Sequence, residues 1–148
     1  MSAETRVKVA HDVLAALAAD EFTVGTGMYV SAIASNCQVC ALGAVFYAMA
    51  GREATEKIGK RPYAGDMKGD MLARLVPTFT EQQVDLIEAA FERTAMMADS
   101  YASDDPDYNY TSPEVTRAMN FGHRYDDPAD RLAAIMRNII SNNGEFRP

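Results

Sequence analysis

Hydrophobic residues recur at helical spacing in the first segment of the chain. Between residues 4 and 19 the apolar positions lie three or four apart, at Val7, Ala10, Leu14 and Leu17. A repeat of this period predicts an amphipathic helix that packs one face against a core. Residues 81–97 show the same periodicity, with an apolar side at Val84, Ile87, Phe91 and Thr94. The opposite side of that helix, which we expect to face solvent, carries Asp85, Glu88 and Glu92.

Capping signals mark where three of the helices begin. Thr80 lies three residues before Gln83 in a capping-box pattern. Ser112 and Asp127 each stand directly before a proline. Because a side-chain oxygen at the cap accepts a hydrogen bond from a free amide, and proline fits the first helical position, these signals predict helices from residues 81, 113 and 128.

The segment from residue 36 to residue 50 has no charged residue and is apolar nearly all round. Asn36 is a preferred N-cap and Gly51 a preferred stop, so the sequence predicts a helix over 36–50. A helix without a polar face is buried, and we therefore expect it at the centre of the fold. Small residues on one of its sides, with Gly43 among them, predict that a neighbouring backbone approaches closely.

The remaining segments predict turns and connections. Residues 22–33 contain two glycines among β-branched residues, which favours a small β-hairpin. Residues 51–69 hold four glycines and an excess of basic residues. They predict a mobile connection with one helical turn, followed by a short helix over 66–75. Residues 99–111 are rich in Asp, Ser and Asn, which predicts a loop.

Together these patterns predict a mainly α fold. Residues 1–148 form a single globular domain, in which five or six helices surround the apolar helix 36–50 and a small β-hairpin lies at 22–33. A chain of 148 residues has the commonest size for one domain and buries a sizeable core without disulfides or metal.

Composition narrows the classes of function. The net charge of −7 and the sequence pI of about 4.7 exclude a general nucleic-acid binder, because phosphate contacts need Lys and Arg. Two cysteines do not make a disulfide framework. The apolar runs are too short and too interrupted to predict a secretory signal or a membrane span. We expect a cytoplasmic protein with reduced thiols and no membrane association.

The motif Cys37-Gln-Val-Cys40 is the clearest candidate for chemistry. At a helix start, the positive end of the helix would lower the pKa of Cys37, and the spacing lets two sulfurs meet. The chain resembles the all-helical alkylhydroperoxidase D-like group, which also places C-x-x-C on a core helix. That resemblance implies a dithiol redox pair, although Ala44 stands where the group has its proton-relaying histidine. The interpretation that we favour is two buried small residues of a packed helix.

Metal-binding patterns are incomplete. Four candidate zinc ligands do not have the spacing of a finger or ribbon: Cys37, Cys40, His11 and His123. Asp105-x-Asp107-x-Asn109 begins like a calcium loop, but Tyr110 stands at the glycine position and Thr116 at the glutamate position. We therefore expect no metal and no cofactor.

One alternative function is a small-molecule or nucleotide-binding protein. Its pocket would lie between the core helix and the turn that follows residue 24, with basic residues closing over an anionic ligand. The residues predicted to form it are Gly25, Thr26, Gly27, Lys57, Lys60 and Arg61.

The strongest charge asymmetry lies in residues 94–116. This stretch holds five acidic residues and no basic one, and three of the seven tyrosines fall within 99–111. Tyrosines with aspartates on an exposed loop combine rigid amphipathic contacts with charge steering. The leading hypothesis is thus a non-enzymatic acidic binding protein with a protein partner. Its predicted partner-binding residues are Tyr101, Asp104, Asp105, Asp107, Tyr108 and Tyr110.

Two motifs carry a second resemblance. Gly25-Thr-Gly-Met-Tyr29 and Cys40-Ala-Leu-Gly-Ala44 look like the first third of small proteins of actinobacteria and tailed phages. That group has no established activity, so the resemblance implies no catalytic residue. It implies a phage accessory protein that inhibits or sequesters a host factor in the host cytoplasm. A homo-oligomer is also expected, because small proteins often bury a second face against a copy of themselves.

Overall fold

The computed structural model of the chain describes residues 2–27, 29–33, 36–61, 64–94 and 112–148. These residues form seven helices and three short strands, which confirms a mainly α domain with a small β element, with six helices besides the central one. The helices are α1 (Ala3–Ala18), α2 (Ala41–Ala50), α3 (Arg52–Gly59), α4 (Ala64–Leu75), α5 (Glu81–Glu92), α6 (Pro113–Gly122) and α7 (Pro128–Ser141). The strands are β1 (Thr23–Val24), β2 (Val30–Ile33) and β3 (Asn36–Val39).

The three strands form one sheet in the order β1-β3-β2. β3 is the central strand, parallel to β1 and antiparallel to β2. In its register Thr23 lies opposite Gln38, and Val30 lies opposite Val39. The β element predicted within 22–33 is present as β1 and β2, but these two strands do not pair with each other. The hairpin consists of β2 and β3, and β1 joins the far side of β3.

Helix α2 begins five residues later than predicted. Residues 36–39 are strand, because their backbone groups pair with strands on both sides, and Cys40 rather than Asn36 is the N-cap. The predicted end is confirmed, since Gly51 has a φ of 92° and stops the helix. Residues 41–47 are all buried, and α2 contacts α1, α3, α4 and α5. The apolar helix is thus the centre of the fold, as its composition predicts.

Gly43 allows the close approach that the small residues of α2 predict. A Cβ at this position would overlap the Tyr29 carbonyl oxygen, just before β2. The Cys40 amide donates to the same carbonyl at 3.1 Å. Glycine at position 43 therefore lets the sheet lie directly against the first turn of the central helix.

Residues 51–69, predicted to be a connection, instead hold α3 and the first half of α4. α3 buries Thr55 and Ile58 and packs on α2 and β2. α4 buries Met71 and Leu75 against the core. Burial of these side chains outweighs the low helix propensity of the glycines in this stretch.

The predicted caps of the later helices are confirmed. Each cap side chain accepts a hydrogen bond from the amide three residues on, as in Thr80 from Gln83 (3.2 Å), Ser112 from Val115 (3.3 Å) and Asp127 from Asp130 (3.0 Å). Helix α5 does not extend to residue 97 as predicted. It ends at Glu92 because Arg93 adopts a left-handed conformation with a φ of 58°.

Arg131 of α7 joins three elements from inside the core. Its side chain is completely buried and donates hydrogen bonds to the carbonyl oxygens of Phe91 (2.6 Å), Tyr125 (2.8 Å) and Asp126 (3.3 Å). The guanidinium carbon also lies 5.2 Å from the centre of the Phe91 ring. One buried cation thus satisfies the Phe91 carbonyl near the end of α5 and two carbonyls of the α6–α7 connection.

Candidate functional site

The six predicted partner-binding residues, Tyr101, Asp104, Asp105, Asp107, Tyr108 and Tyr110, lie outside the described residues. The structure describes the residues on either side of their segment. Arg93 closes α5, and its Nη1 lies 3.6 Å from Asp126 Oδ1. Ser112 caps α6 at the other end. α5 and α6 pack on each other, so the acidic segment begins and ends on one packed pair of helices.

The two cysteines lie at the junction between the sheet and the central helix. Cys37 is in β3, and Cys40 is the N-cap of α2, where its Sγ accepts a hydrogen bond from the Gly43 amide at 3.5 Å. Both are buried and neither forms a disulfide. Burial raises the pKa of Cys40 to about 12 and also raises the pKa of Cys37. A reactive dithiol needs a lowered pKa, and burial shifts both groups in the opposite direction.

The residues of the predicted nucleotide pocket are not brought into one site. The Gly25 amide donates to the Val39 carbonyl at 3.0 Å, and the Gly27 amide donates to Glu92 Oε2 at 2.9 Å. Both backbone amides therefore already donate hydrogen bonds within the protein, and the acceptor of the Gly27 amide is a carboxylate. The turn follows β1, at the edge of the sheet opposite to β2.

The basic residues of that predicted pocket lie at the opposite edge of the sheet, next to β2. Lys57 lies in α3, which packs on β2, and its Nζ is 3.7 Å from Glu53 Oε1. Lys60 and Arg61 follow at the end of α3, where Arg61 donates to Asp70 Oδ2 at 2.6 Å. The sheet thus separates the basic residues from the glycine turn.

Glu88 of α5, expected on the solvent side, is buried with only 6% of its surface exposed. The Tyr29 hydroxyl is hydrogen-bonded to it, and Lys68 Nζ from α4 lies 3.7 Å from its Oε1. Its Oε2 has no hydrogen-bond partner in the part of the chain that the structure describes. Burial raises the pKa of Glu88, and the nearby Lys68 opposes that shift.

Asp85 and Glu92 flank Glu88 on the same side of α5. Burial raises the pKa of both, while the charge of Lys68 acts against the shift at Asp85 and the Gly27 hydrogen bond acts against it at Glu92. Three carboxyl groups of α5 and Lys68 thus form a polar cluster from which solvent is partly excluded. Their spacing of three and four residues is visible in the sequence, but it is equally typical of a solvated face.

A cleft of about 350 Å³ lies between α1, the end of α2 and α4. Its polar lining comes from α1, from the end of α4 and from the turn after α4, at Thr5, Lys8, Asp12, Arg74 and Thr78. Its apolar lining comes from all three helices and the turn after α4, at Val9, Ala48, Met49, Ala73 and Pro77. The sequence does not reveal this cleft, since none of these residues belongs to a recognised motif.

Comparisons of the chain with protein-family models, with curated proteins and with solved structures found no match. Among the described residues, no helix is both long and apolar enough to span a membrane. Within the same residues, no group of three or more His, Cys, Asp or Glu side chains is placed to hold a metal ion.

Proposed function

We propose that this protein is a non-enzymatic binding protein that docks on a basic protein partner through its acidic, tyrosine-rich segment, residues 99–111. The observation that carries the proposal is the distribution of charge. Residues 94–116 contribute five of the 21 acidic residues and none of the 14 basic ones. Such a concentration of one sign steers a partner of opposite charge and raises the rate of association.

The residues of the proposed surface have two roles. Asp104, Asp105 and Asp107 supply the long-range attraction, which acts before contact and weakens with salt. The tyrosines supply contact area at low cost in side-chain entropy, together with a hydroxyl for hydrogen bonding. They are Tyr101, Tyr108 and Tyr110.

The described helices on either side of the segment support this role. α5 ends before the segment and α6 begins after it, and these two helices pack closely on each other. A chain segment whose flanking helices pack together loses less entropy on binding than a tail attached at one end.

We further propose that the partner is a host protein and that the chain is a phage accessory protein acting in the host cytoplasm, in homo-oligomeric form. The acidic segment would compete with nucleic acid for a basic surface of that host protein. This part of the proposal follows from the resemblance of the two motifs around residues 25–29 and 40–44 and from the acidic composition.

The experiment compares two triple variants of equal net charge. One is D104N/D105N/D107N. The other, E4Q/E53Q/D66N, removes three exposed carboxylates from α1, α3 and α4. A partner captured from host lysate by the immobilised wild-type chain is purified, and its association rate is measured at about 50 mM and about 300 mM salt.

We expect the first variant to associate about tenfold more slowly at low salt and to show a flatter salt dependence. The second variant should retain most of the wild-type rate. If the two variants have the same rate and the same salt dependence, the segment 99–111 is not the binding surface.

A further inference from the structure

The cleft between α1, α2 and α4 has an excess of positive charge. Two cationic side chains, Lys8 and Arg74, line it together with one carboxylate, Asp12. The lining thus carries one net positive charge in a chain whose net charge is −7. It makes the cleft favourable for an anion.

Arg74 is held at the cleft by the backbone of the central helix. Its Nη2 donates to the Met49 carbonyl oxygen, near the end of α2, at 3.3 Å. None of the ion pairs formed among the described residues involves Arg74. A guanidinium has five N–H donors in a planar fork, and this one retains donors suited to the two oxygens of a carboxylate.

Lys8 forms only a weak, exposed ion pair with Asp12. Its Nζ lies 2.6 Å from Asp12 Oδ2, but the two side chains are 75% and 43% exposed. An exposed pair of this kind contributes little free energy. The lysine therefore remains able to turn towards an anion bound beside Arg74.

The rest of the cleft suits an apolar group. Val9, Ala48, Met49, Ala73 and Pro77 line it. A ligand pocket commonly combines such an apolar lining with a few polar groups, and its volume commonly exceeds about 300 Å³.

We infer that this cleft is a binding site for a small organic carboxylate, with the carboxylate at Arg74 and Lys8 and a short apolar tail against Val9, Met49 and Pro77. The inference does not depend on the proposed role of the acidic segment. It assigns a second, separate binding site, whose lining is positively charged whereas the segment 99–111 is negatively charged.

The test is an NMR titration of the full chain with sodium butyrate at constant ionic strength. We expect saturable amide shifts at Thr5, Lys8, Met49 and Thr78, with a dissociation constant of about 1–10 mM, as befits so small a ligand. The R74Q variant should bind at least about tenfold more weakly, and R74K, which keeps the charge but not the fork, should fall between the two.

The matched control is R117Q, which removes an exposed arginine of α6 outside the cleft and should bind butyrate like the wild type. K8Q is a second variant, expected to weaken binding about threefold, and the amide spectrum of each variant verifies its fold. Shifts that do not saturate, or an R74Q variant that binds like the wild type, would overturn the inference. So would equal binding of n-butylamine. Equal binding of sodium sulfate at the same amides would show a simple anion site and overturn the assignment to carboxylates.

Discussion

Glu88 is a charged residue in an environment that disfavours its charge. A carboxylate prefers water, yet this one lies in the core beneath Tyr29 with one oxygen unpaired among the described residues. Lys68 compensates it in part from 3.7 Å. Because burial raises the pKa of Glu88 above its ordinary value of 4.5, the folded chain binds a proton there more tightly than the unfolded chain. The group therefore favours the fold below that value and opposes it as the pH rises.

The E88Q variant tests this linkage. Glutamine keeps an oxygen for the Tyr29 hydroxyl and carries no charge, and Lys68 retains Asp85 as a neighbouring carboxylate. We expect the variant to match the wild type near pH 4 and to exceed its free energy of unfolding by about 1 kcal/mol near pH 8. Urea denaturation at a series of pH values measures the difference.

The control for that series is E53Q, in which the replaced side chain is 89% exposed. Its free energy of unfolding should follow the wild type at every pH, because an exposed carboxylate has nearly the same surroundings in both states. A wild-type profile parallel to that of E88Q would mean that the buried carboxyl is not linked to folding.

At the scale of elements, two glycines in helices have opposite surroundings. Gly122, at the end of α6, lies so close to α5 that a Cβ would overlap the Ala90 carbonyl oxygen. Gly69, inside α4, has open space where its Cβ would stand. The first glycine permits the contact between α5 and α6, the two helices on either side of the acidic segment. The second has no packing role.

We therefore expect opposite effects from the same substitution. G122A should lower the free energy of unfolding by about 1–3 kcal/mol, because α5 and α6 must move apart. G69A should raise it by up to about 1 kcal/mol, the difference in helix propensity between alanine and glycine. Thermal and urea unfolding measure both, and a G122A variant as stable as G69A would contradict the close packing of α5 on α6.

Helix caps were the elements that the sequence predicted best, as at Thr80, Ser112 and Asp127, because a cap acts within four residues. The start of α2 was predicted wrongly for a related reason. Asn36 is a good cap by itself, but residues 36–39 gain more from pairing with strands on both sides, and those partners are not visible in a local pattern. Glu88 was predicted to face solvent, which is wrong, because a polar stripe along a helix does not reveal which other elements pack against it.

At the scale of the whole molecule, the cysteines report on the integrity of the core. Cys37 and Cys40 are 4% and 2% exposed, where the sheet meets the central helix. A thiol reagent reaches them only when this centre of the fold opens. The burial that raises the pKa of Cys40 to about 12 also suppresses the thiolate that would react.

Thiol titration with a chromogenic disulfide measures this protection. In the native protein near pH 7.5 we expect both thiols to react at least about 100-fold more slowly than in guanidinium chloride, where two equivalents should react at once. A rapid reaction of both thiols in the native state would instead favour a dithiol redox function.

The sequence by itself determined the helical character, the apolar central helix, the caps of the later helices and the acidic segment. These properties depend on composition, period and neighbours a few residues away. The tertiary structure decided the central position of β3, the burial of Glu88 and Arg131, and the basic cleft at Arg74. Each of these brings together residues that are far apart in the chain, and whether a side chain meets water or protein is determined only when the elements pack.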